Sequence, residues 1–339
     1  MRIKSGILWV FIASLFLLLG WTNQVKANES DYTVRAMLAE NQNPAISSYF
    51  DVTVAPGEKQ TFTIVITNNT TEEKEYKIEP GTAVTNSNGV IDYSLKKAKI
   101  DSTLLNSFEE LTSDAQTVKL AGSEKKQVDF VFEVPKESFT GMLLGGFVVT
   151  PIEKKKSDQP IINVYTHTIA AVVRESSAPV EPDLKLNEIK IGQINYHNVV
   201  QSEIQNTSPT IISKLKIESV ITKKGESKVL YQKSKENLKM APNSTIDYPI
   251  SIKEKFTAGD YTVHISAFNE NKNWKFTKNF TINEEKEQEL NAKTIDLDTP
   301  FQYYYMIVVI ALLILLTIGI KVYLKKKKEK EKARSERRR

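Results

Sequence analysis

The 339-residue chain contains no cysteine. This absence excludes a disulfide scaffold, a thiolate zinc site, a cysteine nucleophile and a lipid-modified N-terminal cysteine. The sequence also lacks a Gly-x-Ser-x-Gly elbow, a phosphate-binding loop and a dinucleotide-binding glycine fingerprint. The histidines His167, His197 and His264 each stand apart from a second histidine or a carboxylate at metal-ligand spacing. We therefore predict no catalytic residue, no metal ligand and no cofactor, although a pair of carboxylates that converges in space, as in glycoside hydrolases, stays open.

The formal net charge of +5 combines unlike parts of the chain. Residues 1–27 contain three basic residues and no acidic one, while residues 321–339 contain eleven basic and three acidic residues. Residues 28–300 therefore carry a net charge of −6. Because most of the chain is acidic, its overall basicity does not indicate binding to nucleic acid.

The N-terminus has the pattern of a secretory signal peptide, residues 1–27. Arg2 and Lys4 precede an apolar run over residues 6–20, and Val25-Lys26-Ala27 resembles a small-x-small cleavage site. We predict signal cleavage after Ala27; an uncleaved membrane anchor is the alternative. An export signal in a chain without cysteine favours the exterior of a bacterium.

The C-terminus predicts a membrane anchor. Residues 301–320 contain no charge, and 20 helical residues span about 30 Å, the thickness of the hydrocarbon core. We predict a transmembrane helix over 301–324 and a basic cytoplasmic tail over 325–339, because cationic residues stay on the cytoplasmic side. The predicted location is the cell membrane, as a single-pass type I protein whose ectodomain faces the cell wall and the exterior. A buried core helix is the alternative.

Between the two ends, apolar and polar residues alternate with the period of β-strands. Residues 60–67 place Phe62, Ile64 and Ile66 on one face, and residues 245–253 show the same pattern. Short runs of this kind, separated by Gly and Pro turn signals, favour an all-β fold. We predict two consecutive immunoglobulin-like β-sandwich domains, followed by an acidic stalk.

The predicted boundaries follow changes in composition. The first sandwich covers 32–176, the second covers 182–283, and the stalk covers 284–300. Within the first sandwich, residues 141–150 and 161–174 are expected to pair as long strands with both faces covered, joined by an exposed loop over 153–159. Residues 102–111 carry an apolar stripe that predicts one short helix, capped by Asp101 or Ser102.

Several residues admit both a structural and a binding role. We expect Gly145-Gly146 to form a β-bulge rather than a ligand contact, and Trp274 to be a core anchor rather than a sugar-stacking platform. Lys154-Lys155-Lys156 and Glu109-Glu110 are expected to be solvated. Six Asn-x-Ser/Thr sequons favour turn formation over glycosylation in a bacterial protein: Asn28, Asn68, Asn69, Asn206, Asn243 and Asn279.

Several segments resemble the WxL-interacting protein family of Gram-positive surface proteins. In the first half these are Tyr32-Thr33-Val34-Arg35-Ala36, Tyr49-Phe50-Asp51-Val52, Pro56-Gly57, Gln60-Thr61-Phe62 and Thr67-Asn68-Asn69. In the second half they are Pro182-Asp183-Leu184-Lys185-Leu186, Gln205-Asn206, Leu230-Tyr231-Gln232, Met240-Ala241-Pro242-Asn243-Ser244, Ala258-Gly259-Asp260-Tyr261-Thr262 and Trp274-Lys275-Phe276. No single segment is specific for the family, but the order of the segments over nearly the whole chain is specific for it.

The resemblance implies a first domain that binds peptidoglycan, a second that binds host extracellular proteins, and WxL-domain surface proteins as partners. The family's own domain boundaries fall nearer 152 and 163 than the strand pattern indicates, and the family supplies no ligand-binding residues. The chain itself has no Trp-x-Leu motif, since Trp274 precedes Lys-Phe. We therefore expect a membrane-anchored surface scaffold without catalytic activity. The alternatives are a chaperone-like assembly factor for WxL proteins, a wall hydrolase, and a sensor acting through a partner helix.

Overall fold

The computed structural model describes residues 30–94, 100–153, 164–295 and 301–336. The predicted signal peptide with its cleavage after Ala27, the lysines 154–156 and most of the predicted loop 153–159 lie outside these residues. The described residues are mostly β-strand, in several sheets. The strands are β1 (Tyr32–Met37), β2 (Phe50–Thr53), β3 (Lys59–Asn68), β4 (Lys74–Thr82), β5 (Val84–Thr85), β6 (Ile91–Asp92), β7 (Gln116–Leu120), β8 (Lys125–Glu133), β9 (Leu143–Pro151), β10 (His167–Arg174), β11 (Leu184–Ile194), β12 (His197–Asn206), β13 (Ile212–Lys223), β14 (Val229–Met240), β15 (Ser244–Ser251), β16 (Gly259–Phe268) and β17 (Asn273–Ile282).

The chain divides into two compact units that do not follow sequence order. The first unit contains Asn106–Phe139, Leu143–Ser177 and the described residues up to Thr82. The second contains Ala83–Leu105, Thr140–Met142 and the described residues from Ala178 onward. Residues 83–105, called the strap below, therefore leave the first unit and belong to the second.

The first unit consists of two sheets around one core. One sheet has the strand order β1-β3-β8, and the other has the order β2-β10-β9-β4-β7. β2 runs parallel to β10, whereas β9 runs antiparallel to β10. Of the predicted pairing of residues 141–150 with 161–174, the β9–β10 ladder confirms 143–149 with 167–173, with Ile169 opposite Phe147; residues 161–163 lie outside the described residues, and 164–166 are not in a strand. β9 is buried from Leu143 to Val149, as expected for a strand covered on both faces.

The core of the first unit explains its strand pattern. Phe62, Ile64 and Ile66 of β3 are fully buried, as are Phe130 and Phe132 of β8. The alternating polar residues of both strands lie on the other face, so one face of the sheet is apolar and the other faces solvent. Phenylalanines from both sheets, and Phe108 from a turn, fill the space between the sheets, with ring centroids 4.9–6.2 Å apart: Phe50, Phe62, Phe108, Phe130, Phe132 and Phe147.

The second unit also has two main sheets around one core, in addition to the two-stranded sheet β5-β6. Their strand orders are β11-β12-β15 and β14-β13-β16-β17. Val200, Ile246 and Tyr248 of the first sheet and Ile217 and Val263 of the second are buried in a common cluster. The Tyr248 hydroxyl donates a hydrogen bond to the Ile217 carbonyl at 3.2 Å, which ties the two sheets together.

The strap packs against the rest of the second unit. It carries the short hairpin β5–β6, whose turn places Gly89 at a φ of +68°. A Cβ at Gly89 would come within 2.5 Å of the Leu238 side chain, so only glycine fits both the turn and the contact. The Gly89 carbonyl accepts a hydrogen bond from the Lys239 amide at 2.8 Å, and Thr85 Oγ1 accepts one from the Ala241 amide at 2.9 Å.

Two sequence expectations about helices need correction. Residues 102–111 form turns rather than a helix, because the apolar residues of the stripe go to different places: Phe108 is buried in the first core, whereas Leu105 is exposed. The start of the expected stalk is not a free linker. Helix α1 (Glu284–Asn291), capped by Asn283, buries Leu290 in the second core.

Helix α2 (Phe301–Glu336) contains the predicted anchor. Its segment Tyr305–Lys326 is long and apolar enough to cross a membrane, with a mean hydropathy of 2.8 over its most apolar window. The side chains described in this segment are exposed throughout.

Candidate functional site

The first unit contains an open cavity of about 490 Å³ at the end of strands β1, β4, β9 and β10. Tyrosines and charged residues share its lining, and we call it the tyrosine pocket. It is lined by Ser30, Asp31, Tyr32, Lys74, Tyr76, Pro151, Glu153, Val164, Tyr165, Thr166 and His167. A mixed lining of aromatic surface and a few polar groups is typical of small-molecule and saccharide sites.

Tyr32 organises the inner wall of the pocket. Its hydroxyl lies 2.8 Å from the Tyr165 carbonyl oxygen and 3.0 Å from the Val149 carbonyl oxygen, and donates between them. Its ring centroid is 5.0 Å from that of Tyr76 and 4.7 Å from that of His167, the latter edge-on. These contacts fix the backbone that carries Tyr165.

The buried tyrosines stay neutral at physiological pH. Burial raises the pKa of Tyr32 to about 12, against a smaller opposing effect of its backbone hydrogen bond at His167. Burial also raises the pKa of Tyr76 to about 12, and the nearby carboxylates of Asp31 and Glu153 add to the shift. A neutral phenol keeps its O–H, so each ring retains a donor as well as an apolar face.

The rim of the pocket is both charged and aromatic. Lys74 Nζ lies 3.6 Å from Glu153 Oε1, and both side chains are partly exposed. Tyr165 is 77% exposed, and Val164 beside it is also exposed. Because its carbonyl is held by Tyr32, Tyr165 offers a solvent-facing ring on a fixed backbone. Such a ring can stack on the C–H face of a sugar, while the lysine, the carboxylates and the phenols supply hydrogen bonds.

Sequence reasoning missed this pocket. Of its lining residues, the sequence considered only His167 individually, as a histidine without a partner at metal-ligand spacing, and its ring packs edge-on against Tyr32. The three tyrosines lie in two separate strands and a loop, so no spacing in the chain brings them together. The one available signal was the resemblance of the segment that begins at Tyr32.

The structure decides between the two roles of Trp274 and of Gly145. Trp274 is 6% exposed, belongs to the second core and donates from Nε1 to Asp183 Oδ1 at 3.2 Å, so the core-anchor prediction is confirmed. The β-bulge expected at Gly145-Gly146 is wrong, because the ladders of β9 with β10 and β4 keep their register there. Gly145 is instead required by a close approach: a Cβ would come within 2.1 Å of the Phe108 ring.

Two other histidines and two glutamates that the sequence singled out lie outside the tyrosine pocket. His197 and His264 are exposed, and His264 Nδ1 lies 3.1 Å from Thr277 Oγ1. Glu109 and Glu110 are exposed, on a turn. Among the described residues, no group of three or more His, Cys, Asp or Glu side chains could hold a metal ion.

Comparison with protein families identifies both halves of the chain. Residues 32–151 match the model described as "WxL Interacting Protein, peptidoglycan binding domain". Residues 156–292 match the model described as "WxL Interacting Protein, host binding domain". The chain belongs to the WxL-interacting protein family. Both matched models describe binding domains, so the family gives no indication of catalysis.

The family matches and the compact units divide the chain differently. β10 falls within the match to the host-binding model, but it lies between β2 and β9 in a sheet of the first unit. The strap falls within the match to the peptidoglycan-binding model, but it belongs to the second unit. The tyrosine pocket takes Tyr32 and Tyr76 from one match and Tyr165 from the other.

No curated protein matches the chain significantly. Solved structures with some similarity include the class 5 fimbriae chaperone CfaA, with 12% identity, 73% of this chain and 99% of that chain covered, and a TM-score of 0.29. They also include the Escherichia coli chaperone DraB (12% identity, 74% and 98% covered, TM-score 0.28) and the Pseudomonas aeruginosa CupB2 chaperone (10% identity, 68% and 97% covered, TM-score 0.26). Similarity at this level supports no conclusion about fold or function.

Proposed function

We propose that this protein attaches to peptidoglycan through the tyrosine pocket and presents its second unit to host ligands and to WxL-domain surface proteins. The observation that carries the proposal is the pocket itself, an aromatic and polar cavity in the unit that bears most of the match to the peptidoglycan-binding model. The family name supports WxL-domain proteins as partners, and the second match supports a host ligand.

The proposed mechanism of attachment is stacking with hydrogen bonding. The exposed Tyr165 ring stacks on a sugar of the glycan strand, and the polar groups of the rim, among them Lys74 and Glu153, hydrogen-bond to its hydroxyls. Charge contributes little, because the lysine at the rim is already close to a carboxylate and residues 28–300 are acidic overall. Binding should therefore resist salt.

We further propose that each unit is an immunoglobulin-like β-sandwich, the first over 32–176 without the strap and the second over 182–283 together with it, in a type I protein of the cell membrane. The shared core between two sheets in each unit supports the sandwiches. In this proposal the signal peptide is removed after Ala27, the helix over 301–324 spans the membrane, and the basic tail over 325–339 stays in the cytoplasm. Many anchored copies acting on one polymer compensate for weak single contacts.

Sedimentation with purified peptidoglycan tests the wall-binding role. The full chain, solubilised in mild detergent, is mixed with peptidoglycan at low and high salt, and the pelleted fraction is measured over a range of polymer concentrations. The wild-type protein should pellet in both conditions. Tyr165→Ala should weaken binding about tenfold, equivalent to about 1.4 kcal/mol.

Tyr196→Ala is the matched control, because Tyr196 is a similarly exposed tyrosine in the second unit. It should pellet like the wild-type protein. If the wild-type protein does not pellet, the wall-binding role is wrong. If it pellets and Tyr165→Ala pellets equally well, the role stands but the pocket is not the site.

A further inference from the structure

The second unit contains a groove that no family role assigns. Its floor is the outer face of the sheet β11-β12-β15, and one wall is the strap. The cavity measures about 440 Å³, within the range of about 300–1,000 Å³ that is usual for small-molecule sites. We call it the strap groove.

The floor is a connected network of amides, carboxylates and an ammonium group. Lys190 Nζ contacts the carboxylates of Glu203 and, at 2.9 Å, of Asp247. Asn187 Nδ2 donates to Glu203 Oε1 at 3.2 Å and to Gln205 Oε1 at 3.1 Å. Each side chain is held by its neighbours, so the polar groups of the floor are preorganised.

Asp101 joins the network to the strap. Its Oδ1 accepts from Gln205 Nε2 at 2.7 Å and its Oδ2 accepts from Thr245 Oγ1. Burial alone would raise the pKa of Asp101, but these bonds and those from Thr103 outweigh burial and hold the pKa below its usual value. The carboxylate is therefore ionised at neutral pH, and both of its oxygens are already engaged.

The charges of the groove disfavour a charged ligand. Three carboxylates line it, against the ammonium groups of Lys185 and Lys190, so an anion meets a small excess of negative charge. The carboxylates are held by hydrogen bonds or by Lys190, so a cation would have to displace existing contacts. A neutral ligand meets neither cost.

The wall complements the polar floor. Val84, Ile100 and Leu104 of the strap line it, and Ile100 is 42% exposed. An apolar wall beside planar amides and carboxylates suits a ligand with a C–H face on one side and hydroxyl groups on the other. Planar amide and carboxylate groups have in-plane donors and acceptors that match adjacent hydroxyls.

We propose that the strap groove is a binding site for a neutral, hydroxyl-rich oligosaccharide of one or two sugar rings. Its floor comes from the sequence matched by the host-binding model and its wall from the sequence matched by the peptidoglycan-binding model, so neither sequence domain alone contains it. The site goes beyond attachment to the wall and does not depend on the tyrosine pocket.

A glycan array tests the proposal. The full chain in lipid nanodiscs is applied to an array of neutral, sialylated and sulfated oligosaccharides that also carries spots of deglycosylated extracellular proteins. Binding should concentrate on neutral hexose and N-acetylhexosamine oligosaccharides. Titration of the strongest of them should show that Asn187→Ala and Ile100→Asp each weaken binding at least tenfold.

Two matched variants separate the groove from general effects on folding. Gln201→Ala changes an amide on β12 outside the groove, and Leu105→Asp adds a charge to the strap at a side chain that is 90% exposed. Both should bind like the wild-type protein, and all variants are checked by thermal unfolding. Binding only to charged glycans, only to protein spots, or to no spot would overturn the proposal, as would neutral-glycan binding unchanged in both groove variants.

Discussion

Two buried asparagines have the same structural role in the two units, because each donates side-chain hydrogen bonds to two backbone carbonyls. Asn68 ends β3 and donates from Nδ2 to the Glu72 and Ala121 carbonyls at 2.7 and 2.9 Å. Asn206 ends β12 and donates to the Thr210 and Ala241 carbonyls, both at 2.8 Å. The expected turn role of these sequons fits both residues, which have no exposed surface. The sequence could not show the distant carbonyl partners, because Ala121 and Ala241 lie in turns that follow other strands, β7 and β14.

Asp101 provides a prediction at the scale of one residue. Folding lowers its pKa below the ordinary value of 3.8, so the folded state binds fewer protons than the unfolded state at acidic pH. Its contribution to stability is therefore fully present above pH 3.8 and is lost as the pH falls through the folded pKa. Asp101→Asn should destabilise the protein at pH 7 by about 1.5–3 kcal/mol, the usual range for hydrogen bonds to a charged group.

Thermal or chemical unfolding of the wild-type protein and of Asp101→Asn at pH 7 and at pH 3 checks this expectation. The difference between the two proteins should shrink at pH 3. Asp260→Asn is a suitable control, because its carboxylate is exposed at the end of a hairpin. An equal difference at both pH values would show that the charge of Asp101 is not what holds the strap.

At the scale of elements, strand β10 decides where the first unit ends. Ile169, Ala171 and Val173 of β10 are buried in the first core, and β2 and β9 flank the strand on both sides. A fragment that ends at residue 153, near the family boundary, should fail to fold, because it loses these side chains and leaves the edges of β2 and β9 that pair with β10 unpaired. A fragment over residues 30–176 should fold cooperatively.

Circular dichroism and chemical denaturation of the two fragments measure this difference. The longer fragment should show β-structure and a single unfolding transition, and the shorter one should aggregate or lack a transition. A stable, cooperatively folded fragment 30–153 would contradict the assignment of β10 to the first core.

The nearly continuous runs of apolar and small residues were enough to predict the β9–β10 pair from the sequence. The path of the strap was not predictable, because local periodicity carries no information about which sheet a segment joins. The helix expected over 102–111 failed for the same reason. Its apolar stripe combined Phe108, which packs in the first core, with Leu104, which lines the strap groove of the second unit.

At the scale of the whole molecule, the absence of cysteine permits a direct test of the proposed topology. Ser227→Cys places a thiol in the exposed loop between β13 and β14, and Ser335→Cys places one near the end of the basic tail. In intact cells a membrane-impermeant maleimide should label the first variant and not the second, because the proposed tail lies inside the membrane barrier.

Permeabilised cells should show labelling of both variants, and the wild-type protein serves as the blank. Labelling of Ser335→Cys in intact cells would contradict the type I orientation. The order of signal, β-rich segments and apolar helix could be proposed from composition and charge alone. The tyrosine pocket and the strap groove could not, because each gathers residues far apart in the chain.

The path of the strap also sets an order of events during export. A chain that emerges N-terminus first delivers Thr85 well before its partner Ser244, from which it is separated by 159 positions. The described strap residues contribute nothing to the first core, so that core can close once β10 has emerged. The strap cannot dock until β15 has emerged, so this long loop closes late. The strap can therefore dock once β15 is in place, whereas β16, β17 and helix α1 complete the second core afterwards.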